Sequence, residues 1–137
     1  MQTKSTFCRD ISVIIGIGLV SYAIDFSQNK DTLYTSCSDL YTQMSLLLHH
    51  IYIVFSLVGW ASNNKTILIL YVLSAILVQL HWIMNNNKCA WTQFINKRCN
   101  NPGGHLQFFG SDMPIQRPVQ KIVSLIFMIA ALLKLQK

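Results

Sequence analysis

The sequence predicts an all-α, polytopic integral membrane protein, a bundle of four transmembrane helices with a short interfacial helix, forming one membrane domain over residues 1–137. Three observations predict it. Of the 137 residues 52% are hydrophobic and only 12% charged, about half the charge that a water-facing domain usually carries. All five acidic residues are Asp, with no Glu. The apolar residues are gathered into blocks between polar loops, so the mean hydropathy is only +0.37, as expected for a chain that alternates spans with connections. A disordered chain, a disulfide-rich miniprotein and a coiled coil are excluded by the same composition.

The spans follow in order, each sought as a run of about 17–20 apolar residues, enough to cross a hydrocarbon layer. The first is residues 11–26. Ser12, Gly16 and Ala23 give it a small-residue stripe for close packing against a neighbour. The same run, with Lys4 and Arg9 before it and Ser21-Tyr22-Ala23 after it, also has the form of a cleaved secretory leader; the uncleaved span is the reading adopted. Residues 40–60 and 66–84 are the clearest spans, free of Asp, Glu, Lys and Arg, with Trp60 and Trp82 near their ends as interfacial aromatics. Asn63 and Asn64 make the tight turn between them. Trp91, Phe94 and Ile95 then recur at helical spacing beside Lys97 and Arg98, which predicts an interfacial helix over about 90–98. Asn100-Asn101-Pro102-Gly103-Gly104 ends it, and the fourth span, 119–135, starts behind Pro118 and closes on Lys134 and Lys137.

The net charge of +6 is not organised as a basic tract or helix face, so the expected partner is the lipid bilayer, together with copies of the chain or other membrane proteins, and not nucleic acid. Four spans put Lys4, Arg9, Lys65, Lys134 and Lys137 on one side and Lys30, Lys88, Lys97, Arg98 and Arg117 on the other, with Lys121 just inside the fourth span. That balance leaves the orientation open. Cys37, Cys89 and Cys99 fall on one side and Cys8 opposite. In an oxidising compartment Cys89 could pair with Cys99, or either could pair with Cys37; in a reducing one all are thiols.

Histidines are uncommon inside spans and tend to face protein when they occur there. Helical steps from His49 reach Tyr41, Ser45, Tyr52 and Ser56, a polar stripe, while His50 shares a face with Leu47, Val54 and Leu57. His49 is therefore the one expected to point inward. An antiparallel hairpin about the 62–65 turn brings His81 and Gln79 toward His49 at one end of the bundle. Three readings follow. The expected one is hydrogen-bonded packing between helices, in a non-enzymatic protein with a structural or assembly role and no cofactor. The alternatives are a haem or transition-metal site on His49 and His81, and a small oligomeric channel or transporter lined by the stripe. A Ser-His-Asp hydrolase is not expected, because the aspartates fall in loops or at span ends and no nucleophile elbow occurs.

His49-His50 on one span, His81-Trp82 on the next and then Cys89-Ala90-Trp91-Thr92 resemble a group of small uncharacterised four-span membrane proteins of bacteria and large DNA viruses. That group carries a histidine-bearing span, a second span, and a Cys-x-x-Thr box that leads into a short amphipathic segment. The likeness covers Leu46 to about Arg98. The box of the group reads Cys-Pro-Leu-Thr followed by Glu; here Ala90 and Trp91 fill its middle and no Glu follows. The resemblance implies a fold and a membrane location, and no particular chemistry.

Overall fold

A computed structural model of the chain describes residues 2–29, 38–99 and 116–136. Among the described residues there is no strand. The elements are α1 (Gln2–Asn29), α2 (Leu40–Val58), a 3₁₀ turn (Gly59–Ala61), α3 (Lys65–Met84), α4 (Ala90–Arg98) and α5 (Gln116–Leu135). Within them, Lys4–Gln28, Leu40–Ala61 and Lys65–Met84 are long and apolar enough to cross a membrane. α1 extends beyond the expected 11–26 at both ends, because neither the run before Ile11 nor Ser27-Gln28 contains a breaker. The segment 90–98 is the expected short helix, and the Asn100–Gly104 breaker lies outside the described residues.

The helix starts are fixed by side chains. Asp39 caps α2, accepting from the Thr42 amide at 3.0 Å and from Thr42 Oγ1 at 2.6 Å. Asn64 caps α3 through its Oδ1, which accepts from the Thr66 amide at 3.0 Å and the Ile67 amide at 3.3 Å. Past α3, Asn86 and Asn87 adopt φ of 51° and 61°, the left-handed conformation that Asn tolerates better than most residues. Their turn reverses the chain into α4.

The long helices pack as two pairs. α1 lies along α2 through Ile14, Gly18 and Asp25, the buried positions on its inner face. A Cβ at Gly18 would sit 2.8 Å from Ile51 Cα, whereas a Cβ at Gly16 would meet no neighbouring group within 4 Å. Ser12 and Ala23 are also exposed. The expected stripe of Ser12, Gly16 and Ala23 is thus not the contact face, and Gly18 is where the backbones approach. α3 pairs with α5 through Leu68, Tyr71, Val72 and Ala131, with Trp60 stacked on Phe127 at 4.9 Å between centroids.

Polar ties close the two ends of this arrangement. At one end Ser62 Oγ donates to Asp10 Oδ2 at 2.6 Å, Asn64 Nδ2 reaches Thr6 Oγ1 at 3.5 Å, and Lys134 Nζ donates to Ala61 O at 2.8 Å. The start of α1, the α2–α3 turn and the end of α5 therefore meet. At the other end Tyr22 donates to Gln43, Lys121 to Asn87, and Arg98 to Thr42 and Asp39. The four long helices accordingly alternate in direction. Their outward side chains are apolar, Leu73, Leu80, Ile122 and Ile126 among them, a surface suited to lipid rather than water.

Candidate functional site: a cavity between the helix pairs

α2 and α3 follow one another through a tight turn yet diverge, because each is packed against a different partner. The space between them, bordered by α4 and α5, is a half-open cavity of about 860 Å³, within the range of small-molecule sites. Toward the turn its walls are Ile53, Leu57, Tyr71, Ala75 and Phe127; toward α4 they become His49, His81, Asn87, Lys88, Gln93 and Lys121. Three hydroxyls of the inner half are already engaged. Ser56 Oγ donates to Ile53 O at 2.7 Å, Ser74 Oγ to Tyr71 O at 2.8 Å, and Tyr71 OH to Ser56 O at 3.1 Å.

α4 forms the rim. Ile95 and Cys99 bury themselves against Leu46 of α2, with Tyr22 and Trp91 around them, and Arg98 anchors the end of the helix. Its guanidinium donates to Thr42 Oγ1 at 2.9 Å and Asp39 Oδ1 at 3.3 Å, and covers the Tyr41 ring at 5.1 Å. The hydrogen bonds from Thr42 foremost, and Arg98 in addition, hold the Asp39 carboxyl below the ordinary carboxylate range.

Both histidines expected at the site line the cavity, in different roles. His81 Nε2 accepts from the Ala90 amide at 3.0 Å, so it supplies the cap that Cys89 does not give α4. An accepting Nε2 places the ring proton on Nδ1. His49 is 6% exposed and stacks on Trp91 at 5.5 Å between centroids, and its Nδ1 is buried with no hydrogen-bond partner. Among the described residues no three His, Cys, Asp or Glu side chains come together as metal donors.

The expected stripe divides. Tyr52 and Ser56 line the cavity, whereas Tyr41, Ser45 and Gln79 do not. Tyr41 is exposed under Arg98, and Gln79 Nε2 is buried without a partner. The hairpin register predicts this poorly because α2 and α3 splay. Cys89 is a free thiol in the cavity wall and Cys8 an exposed free thiol, while Cys99 is disulfide-bonded. A Cys89–Cys99 closure is thereby set aside, and Cys37 lies outside the described residues.

A second cluster lies on the other face of α2. His50, expected to face away from the bundle, is almost fully buried. Its Nδ1 is 2.9 Å from Ser21 Oγ and its Nε2 3.4 Å from Asp25 Oδ2, with the His50 and Asp25 side chains only 2% and 4% exposed. Tyr22 meets the ring edge-on at 5.9 Å. These are the residue types of a hydrolytic triad, but Ser21 sits in the uninterrupted helix α1. Helical amides there bond to their own carbonyls, so they offer no oxyanion site. The arrangement instead joins α1 to α2 by a polar contact of Ser21, His50 and Asp25 in an apolar setting. Sequence reading missed it by counting Asp25 as a span end. Its spacing of one helical turn from Ser21 was the available signal.

No family model, no curated protein and no solved structure matches the chain.

Proposed function

We propose that the chain is a four-span integral membrane protein that holds an amphipathic small molecule in the cavity between α2, α3, α4 and α5. The four-span reading is supported by the alternating directions of the long helices and by α5. That helix keeps level with α3 through Phe127, Met128 and Ala131 and carries Lys121 and Lys134 toward its two ends, where long cationic side chains reach headgroups.

The observation that carries the binding reading is the cavity itself, about 860 Å³, apolar toward the α2–α3 turn and lined by Asn87, Lys88, Gln93 and Lys121 at its other end. A structural or assembly role without ligand is the second reading, favoured by His50 and His81, both engaged in holding helices.

Native mass spectrometry of protein released from membranes in a mild detergent distinguishes them. The binding reading expects a co-purified organic mass that is retained by Ser124→Ala and lost in Ser124→Phe, which places a ring in the cavity wall. Protein free of any such mass, or a mass unaffected by Ser124→Phe, contradicts it.

A further inference from the structure

Resting on the reading of the cavity as an amphiphile site, we infer that its occupant is a single-chain amphiphile with an anionic oxygen headgroup, a carboxylate or a phosphate. The charge of the lining is one-sided. Lys88 and Lys121 stand at the polar end, and no Asp or Glu lines the cavity among the described residues. Lys121 is positioned there by its hydrogen bond to Asn87. The nearby carboxylates are engaged outside the cavity, Asp25 against His50 and Asp39 with Thr42 and Arg98.

Two further groups face the same end. The first turn of α4 contributes Trp91, Thr92 and Gln93 to the wall, so the partial positive charge of that helix start is directed at the mouth. His49, stacked on Trp91 of this turn, lines the same part of the wall. A carboxylate or phosphate accepts from lysines and a helix N-terminus together, whereas an ammonium headgroup would be repelled by both lysines.

The tail has its own compartment. Beyond His49 the walls turn to Ile53, Leu57, Ala75, Val123 and Phe127, which suit an aliphatic chain lying along the helices toward the turn. The volume of about 860 Å³ is that of a small-ligand site and favours one chain over a two-chain lipid.

The protein in phosphatidylcholine nanodiscs, titrated with dodecanoate, dodecyl phosphate, dodecanol and dodecylamine against empty nanodiscs, tests this. Expected is binding of one or both anions about tenfold or more tighter than dodecanol, equivalent to about 1.4 kcal/mol. Lys88→Gln/Lys121→Gln should bring the anions to the dodecanol affinity, while unchanged dodecanol binding shows that the cavity is intact. The order of dodecanoate and dodecyl phosphate separates a fatty acid from a phosphorylated chain, and either order supports the inference. Equal binding of dodecanol and both anions, or a preference for dodecylamine, overturns it and leaves the amphiphile site standing. Absence of binding by every probe overturns both.

Discussion

Asp39 shows how one side chain links two elements. It caps α2 through Thr42 and holds α4 through Arg98, and these bonds favour its ionised form, so its carboxyl titrates below the ordinary range. A group whose acidity is strengthened by folding stabilises the fold above its unfolded pKa, and that contribution disappears as the pH falls through the lower folded value. The Thr42 amide, followed by NMR in micelles, should therefore titrate with a midpoint below that of an exposed aspartate. The titration should vanish in Asp39→Asn. A midpoint at the ordinary value would show that the Thr42 and Arg98 bonds do not persist in solution. The capping role of Asn64 and the tolerance of the Asn86-Asn87 turn for positive φ belong to the same scale. Each follows from residue type and local spacing; of these the Asn63-Asn64 turn was read in the sequence, whereas the Asn86-Asn87 turn was not.

Between elements, the contacts that matter were less readable. A span in isolation shows which residues are small or polar, but the partner helix decides which of them face inward. Gly16 and Gly18 are equivalent by composition, yet only Gly18 lies against Ile51. Asp25 looked terminal because the apolar run ends beside it; one further turn of α1 carries it into the contact with His50. The pair makes a measurable prediction. Asp25→Leu leaves the His50 ring buried without its carboxylate and should destabilise the α1–α2 pair by about 1–3 kcal/mol in reversible detergent unfolding. Asp25→Leu/His50→Leu removes both polar groups and should recover much of that loss. Additive losses in the double variant would mean that the two side chains do not interact.

At the scale of the whole molecule, the apolar blocks placed the long helices well, and the amphipathic spacing of Trp91, Phe94 and Ile95 located α4. The cavity was not legible, because the sequence suggests a closed α2–α3 hairpin. Packing instead gives α2 to α1 and α3 to α5. His49 and His81 consequently share a wall without forming a pair, one stacked on Trp91 and the other capping α4. The polar mouth also depends on this arrangement, since it gathers groups from α2, α4, α5 and the Asn85–Lys88 turn.

The site has meaning only if its mouth and the start of α1 lie at opposite faces of a bilayer. The native thiols Cys8 and Cys89, both free, stand at those two ends. Labelling with a membrane-impermeant maleimide in sealed vesicles of each orientation, with peptide mapping of the product, reports on both together. The four-span arrangement predicts that Cys8 reacts from one side of the bilayer and Cys89 from the other. Reaction of both from the same side would contradict it.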